Sequence, residues 1–186
     1  MHPDRLKFLQ LMCPALLDAG VKYSIPRAVL VCGAVQGGIE TSVEDPTTKG
    51  YFWGLSDLFT KGWNFGGMQQ FSPLLDFPPP IVRNSSEFVN GVRVPRVEKF
   101  RQFTCLADAI LAWWGIVQGY RYQAFGLLKY ATDTTLTLTQ QVHEVASCLQ
   151  RGGYSSSPQY ASTIVEIAGE CNLLADNGLE QYVSTS

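Results

Sequence analysis

The sequence predicts a mainly α (α+β) fold: a helical body, one small β-hairpin lobe, and a cleft between them. Three features carry that prediction. Apolar residues recur at helical spacing in five separate stretches. Residues 81 to 100 break that period and read as two extended runs about Asn90-Gly91, a pair that favours a two-residue hairpin turn. Residues 43 to 80 are irregular and rich in Gly, Pro and aromatics, and a connection that long inside a compact domain usually carries function or short helices of its own. With 186 residues the chain suits one domain, 1–186, large enough to bury most of its apolar surface.

The first helix is expected over residues 4 to 19, opened by Asp4, with apolar positions 6, 9, 13, 16 and 17 and Gly20 as its stop. Ser24 and Pro26 start the second, whose apolar stripe is Ile25, Ala28, Val29, Cys32, Val35 and Ile39 and which ends near Glu40 to Ser42. In the hairpin, Pro95 marks the second strand as an edge. Helical spacing returns at Thr104, with Leu106, Ala109, Ile110, Trp113 and Val117 on one face. Another helix begins after Thr139, turns Val142, Val145, Ala146 and Leu149 inward, and stops at Gly152-Gly153. The last opens at Ser157-Pro158, a capping residue followed by proline, and presents Ala161, Ile164, Val165, Ala168 and Cys171.

Composition narrows the partners. A net charge of −2 and a pI near 5.6 argue against nucleic acid, because neutralising phosphates needs a basic surface. The 4 Trp and 8 Tyr often stand beside Gly and polar residues, a pattern that suits a neutral, flat-faced, hydroxylated ligand. Cys13, Cys32, Cys105, Cys148 and Cys171 contain no CxxC pair, which excludes zinc-ribbon spacing. Each is read as a small buried hydrophobe, with a Cys148–Cys171 disulfide as the alternative. No stretch approaches the ~18 apolar residues of a membrane span. The first 20 residues resemble a signal peptide only superficially: the apolar run is short, contains Gln10 and Pro14, and lacks a cleavage site. They read as an amphipathic helix, so export without a cleaved signal is expected.

The second helix breaks local rules near its end. Gly37 and Gly38 stand together inside a good apolar pattern, each costing about 1 kcal/mol against alanine. Glu40 follows at the negative end of the helix dipole, where a carboxylate is disfavoured. Two side-chain-free positions permit close approach to the backbone, and a carboxyl placed there holds its proton more tightly, as a general acid requires. Spacing alone fits an ordinary surface glutamate as well.

Several segments resemble one family. Val35-Gln-Gly-Gly-Ile-Glu-Thr41 is similar to the "A-Q-x-A-L-E-[ST]" signature of the glucosaminidases, glycoside hydrolase family 73, which includes flagellar muramidase domains and autolysins. Phe8-Leu9 and Pro14-Ala15 resemble its opening helix, and Ile25-Pro26 its "V-P". Trp63-Asn-Phe-Gly-Gly-Met68 resembles "Y-N-L-F-G-I", Lys99-Phe-Arg-Gln-Phe103 resembles "K-F-R-V-Y", and Gly153-Tyr-Ser-Ser-Ser-Pro-Gln-Tyr-Ala161 resembles "G-Y-A-T-D-P-x-Y-A". The resemblance implies a lysozyme-like fold and hydrolysis of a β-1,4 glycan bond of peptidoglycan on the N-acetylglucosamine side. It gives Glu40 the role of acid, implies no cofactor, and makes glycan strands the partner.

For the second group, Ser86-Glu-Phe-Val-Asn-Gly91 resembles "T-E-Y-x-N-G" and points to Glu87, which also reads as a solvated strand residue. Glu44, Asp45 and Asp57 are spare candidates, and the substrate acetamido group is another nucleophile. Tyr154 matches a family tyrosine able to position a water or that acetamide. Gly37, Gly38, Trp63, Asn64, Phe65 and Tyr160 are the candidate substrate contacts, with core packing the competing reading of the aromatics. The sequence departs from the family where Trp and Gly usually follow the acid (Thr41-Ser-Val stands there) and where Ser157 replaces an aspartate. Trp53 or Trp63 is the candidate replacement for the lost sugar platform.

Rival readings are a cysteine amidase or endopeptidase and an inactive wall-binding module. The first needs a Cys–His pair, and only His2 and His143 exist. The same shortage argues against a metal hydrolase. The expected setting is the periplasm or cell wall. Resemblance to type VI secretion effectors suggests an antibacterial toxin with an immunity protein occluding the cleft, with a phage lysin or tail enzyme as the alternative.

Overall fold

The computed structural model describes residues 3–44, 51–69, 78–89 and 92–183, and of residues 44, 51, 85–89 and 93 it describes the backbone alone. Helix α1 runs Pro3–Tyr23 and α2 Arg27–Glu40. Strands β1 (Val43–Glu44) and β2 (Tyr51–Phe52) pair antiparallel, and α3 is a single turn, Asp57–Thr60. A hairpin of β3 (Ile81–Val89) and β4 (Val92–Phe100) follows. The remainder is helical: α4 (Leu106–Val117), α5 (Tyr120–Gln123), α6 (Leu127–Ala131), α7 (Leu138–Arg151), α8 (Tyr160–Glu170) and a 3-10 turn, Glu180–Tyr182.

The core is built around α2. Every residue from Ala28 to Gly38 is buried, and α1, α6, α7 and α8 pack against it. A helix apolar on all sides belongs at the centre of a domain. The expected one-sided stripe therefore understated it: Leu30, Val31 and Ala34 are as buried as Cys32 and Val35, while Ile39 is only partly covered. Its glycines are the contact points. A methyl at position 33 would lie 2.9 Å from the Trp113 ring, and one at position 37 would lie 2.9 Å from Phe65. One at position 38 would run into the Trp53 ring. Trp53 in turn stacks edge-on against Phe8, at 5.6 Å between centroids. Burying such rings contributes several kcal/mol each, typically about 3–5 by truncation to alanine, more than the helix propensity the glycines forfeit.

Several boundaries differ from the sequence expectation, each for a local reason. Helix α1 runs past Gly20 to Tyr23 and ends where Ser24 takes a left-handed φ of 54°. Gly20 is a packing site, since a methyl there would lie 2.7 Å from Leu30 Cδ1. Helix α4 starts at Leu106, after Cys105. Helix α7 starts earlier than Thr139, because Thr137 and Gln140 form a reciprocal capping box. Helix α8 starts two residues after Pro158, behind Gln159. Helices α5 and α6 were not anticipated, being four and five residues long and too short to show a period. The cysteines are all free, so the Cys148–Cys171 disulfide does not form. Four are buried, as read, but Cys105 is exposed at the start of α4.

The hairpin keeps unbroken register from Ile81 opposite Phe100 to Val89 opposite Val92. The Asn90-Gly91 turn itself lies outside the described residues, as do His2 and Asp45. At its base the hairpin is laced to the preceding loop. Gln69 bridges to Phe100, Arg101 N–H donates to Met68 O at 2.9 Å, and Phe103 N–H to Gly62 O at 2.9 Å.

Helix propensity and packing predict opposite signs at one position. Gly38→Ala should gain about 1 kcal/mol by propensity, but the methyl must displace Trp53. The expected outcome is a loss of about 1–3 kcal/mol in urea unfolding, and a gain would refute this account of the glycine.

Candidate active site

Glu40 is the last residue of α2 and lines a groove of about 470 Å³ between the helical body and the hairpin. Burial of α2 thus delivers a carboxyl to the groove on a rigid stem. The groove is also lined by Gly66, Gly67, Glu98, Arg121 and Tyr154. The Glu40 side chain opens to it, yet protein surrounds the carboxyl closely enough that loss of hydration raises its pKa, a shift opposed by the Gln36 side chain one helical turn back. Being exposed to the groove, the group feels a weaker effect than a sealed carboxyl would.

Gln36 is 1% exposed. Its Oε1 accepts from the Tyr160 hydroxyl at 2.8 Å, which turns the amide nitrogen to the Glu40 side. That nitrogen makes no bond of full hydrogen-bond geometry, although it is near enough to Glu40 to favour the ionised form. Trp113 Nε1 stands in the same relation to the Tyr154 oxygen. Two buried donors thus face the two oxygen-bearing groups of the groove floor. The Tyr154 hydroxyl donates to Gly66 O at 2.7 Å. Burial first, and the Glu40 charge second, hold this phenol well above its ordinary range, so it stays protonated.

The loop from Trp63 to Gln69 forms one wall. Asn64 is fully buried, donating to Met68 O and Arg101 O at 2.8 Å each and accepting from Met68 N–H at 2.8 Å. This clamp ties the loop to the hairpin base. Gly67 has φ +59° and faces Glu40 so closely that a methyl there would lie 2.7 Å from Oε2. Position 67 thus needs glycine twice, for the backbone and for the carboxyl.

The sequence candidates separate on this geometry. Glu40 and Tyr154 share the groove. Gly37 and Gly38 admit Phe65, Phe8 and Trp53 rings rather than opening to the groove. Phe65 (0% exposed) and Tyr160 (8%) sit in the core and offer no face to a ligand, and Trp53 (3%) likewise cannot serve as a platform. Trp63 is half-buried against Phe59, with ring centroids 5.6 Å apart. Glu87 is on β3 opposite Val94, and its side chain lies outside the described residues, as does that of Glu44. Asp57 is an exposed partner of Lys61.

Sequence reasoning missed Gly66 and Gly67, Glu98 and Arg121. The double glycine was legible in Asn-Phe-Gly-Gly, where two adjacent residues without side chains signal a close approach. Glu98 was legible only through strand register. It sits on β4 opposite Arg83, lines the groove, and accepts from Gln69 Nε2 at 2.8 Å. A Cys–His pair is not assembled among the described residues. Burial pushes the Cys32 thiol up, its Sγ donates to Val142 O, and His143 is half exposed beside Glu144.

At the level of sequence, no family model and no curated protein matches the chain. Solved structures do. The fold is similar to that of a peptidoglycan hydrolase mutant from Sphingomonas sp. A1, with TM-score 0.60 and 21% identity over 95% of this chain and 97% of that one. It also resembles a glycoside hydrolase domain from Salmonella typhimurium FlgJ, with TM-score 0.53 and 18% identity over 89% and 98%. An N-acetylmuramoyl-L-alanine amidase from Staphylococcus aureus matches with TM-score 0.67 and 12% identity, over 98% of this chain and 47% of that one. At such identities the likeness is one of fold, and it establishes the lysozyme-like α+β architecture expected from the sequence.

The raised Glu40 pKa has a definite sign in stability. The folded state holds this proton more tightly than the unfolded chain, so its contribution is fully present below the ordinary carboxyl pKa and is lost as pH rises through the raised value. Glu40→Gln should therefore match the parent below the ordinary carboxyl range and become the more stable protein as pH rises above it. Thermal unfolding across that range checks it; a constant difference would refute the shift.

Proposed function

We propose that this chain is a peptidoglycan glycosidase of the glucosaminidase family, in which Glu40 protonates the bridging oxygen of a β-1,4 bond on the N-acetylglucosamine side. The observation that carries the reading is a carboxyl on a buried helix, opening into a groove, in surroundings that favour its protonated form. The fold shared with proteins described as peptidoglycan hydrolases, one of them a glycoside hydrolase domain, supports it.

In the proposed step the Glu40 proton passes to the bridging oxygen, the C1–O bond breaks with its electrons leaving on that oxygen, and positive charge builds at C1. A second group must meet that charge: a carboxylate, directly or by taking a proton from the water that adds to C1, or the substrate acetamido group. Glu98 fits this role, held by Gln69 in the same groove. Glu87, favoured by motif, lies four positions nearer the hairpin tip along the register from Arg83, opposite Glu98. Tyr154 commits its proton to Gly66 O, so its role is to fix the Gly66–Gly67 wall against Glu40. The acid works only while protonated, so the alkaline limb of activity follows the raised Glu40 pKa.

The amidase reading lacks a Cys–His pair among the described residues: the Cys32 thiol is buried and donates to Val142 O, and His143 lies beside Glu144. The setting we infer is an antibacterial effector acting in the periplasm or wall, countered by an immunity protein that fills the groove. Among the described residues no helix is long and apolar enough to cross a membrane. A host expressing the chain in its periplasm should lyse, whereas one retaining it in the cytoplasm should not.

Purified wall material distinguishes the chemistry. The chain should release reducing sugar, and Glu40→Gln should lower that rate by roughly 10²–10⁴-fold with folding intact. Release of amino groups without reducing sugar would establish an amidase, and binding without turnover a wall-binding module. Loss in Glu98→Gln with Glu87→Gln active assigns the second carboxylate to Glu98; the reverse assigns it to Glu87.

A further inference from the structure

The groove is charged unevenly. Besides Glu40 and Glu98 its described lining contains one arginine, Arg121 on α5. This side chain is held in place at its inner end. Nε donates to Gly152 O at 2.5 Å, and the guanidinium lies 5.1 Å from the centroid of the buried Tyr122 ring. The Gly152-Gly153 pair makes that placement possible. A methyl at 152 would run into Tyr122, and one at 153, where φ is +80°, would lie 2.7 Å from Arg121 Nη2. These glycines, expected to stop α7, thus clear a space for the Arg121 guanidinium.

Among the described residues no carboxylate pairs with Arg121, and its hydrogen bond uses Nε alone. The terminal nitrogens remain as a fork, the geometry that binds a carboxylate through two parallel bonds. A neutral polymer of N-acetylglucosamine offers such a fork hydroxyl and carbonyl oxygens but no charge. A peptidoglycan strand offers charge: its alternate sugars carry a lactyl group, either as a free carboxylate or extended by a peptide with carboxylates of its own.

Resting on the glycosidase reading above, we propose that Arg121 forms an anion subsite, which binds a carboxylate on the lactyl–peptide substituent and makes the groove selective for acidic over neutral glycans. The nearby Tyr122 ring and Gly152 carbonyl fix the guanidinium before binding, so little side-chain freedom is lost when the carboxylate arrives. Arg121 is here a specificity residue and takes no part in bond cleavage.

Calorimetry in a Glu40→Gln background tests this without turnover, using three ligands: glycan fragments with intact peptides, fragments stripped to free lactyl carboxylates, and neutral N-acetylglucosamine oligomers. The ratio of acidic to neutral affinity should fall roughly 10-fold or more on Arg121→Gln, with Arg121→Lys intermediate. High salt should reduce that ratio in the protein that keeps Arg121. Whichever acidic ligand shows the larger fall identifies the carboxylate, lactyl or peptide. An unchanged ratio, or equal loss on acidic and neutral ligands, makes Arg121 a brace for Gly152 and overturns the proposal. Should the Gln variant fail to fold, a salt-independent ratio with Arg121 in place overturns it equally. If the parent binds none of the ligands and releases no reducing sugar from walls, the glycosidase reading falls and this inference with it.

Discussion

The structure depends on one packing constraint: α2 is surrounded by other elements along nearly its whole length. Aromatic rings from α1, α4 and the long connecting loop close on its glycines, with Trp113 over Gly33, Phe65 and Phe8 over Gly37, and Trp53 over Gly38. A helix gripped in this way cannot slide or rotate without leaving voids, and interiors are too closely packed to tolerate them. Its last residue, Glu40, therefore emerges into the groove at a fixed point. Precise placement of one carboxyl is thus a consequence of core packing rather than of contacts around the carboxyl itself.

The opposing wall is fixed by polar rather than apolar contacts. Asn64 saturates its amide against Met68 and Arg101, and the Tyr154 hydroxyl pins Gly66 from the far side. A buried amide or hydroxyl in such a position holds geometry strongly, because any displacement leaves it unpaired in a poorly hydrated interior. The floor is less complete. Gln36 Nε2 and Trp113 Nε1 are buried without full partners, and both lie beside oxygens of Glu40 and Tyr154. Native interiors seldom leave donors in this state, and strain of this sort gathers at functional sites. A site that raises a carboxyl pKa by partial burial carries the same kind of stability cost.

Charge is distributed to match. Among the described residues two carboxylates and one arginine line the groove, with the arginine braced by a carbonyl and a tyrosine ring and lying on a different element from either acid. This distribution fits the substrate proposed above, a neutral linkage with a separate anionic substituent. Both the body and the hairpin contribute to the lining, so the lobe completes the site.

The sequence alone determined the class of fold, because helical and two-residue periods are local properties of the chain. It placed the apolar faces of α4 and α7 residue by residue, all of them buried as read, and put Glu40 at the end of a helix. It could not determine which glycines face a ligand and which face a ring. Gly37 and Gly38 share the local pattern of Gly66 and Gly67, yet the first pair meets core aromatics, whereas both of the second pair line the groove, Gly66 against Trp113 and Tyr154 and Gly67 against Glu40. For the same reason Phe65 and Tyr160 carry aromatic signals that burial assigns to the core, while Glu98 and Arg121 carry no motif at all. Their roles depend on strand register and on which elements meet across the groove, and these are set by long-range packing that no local pattern encodes.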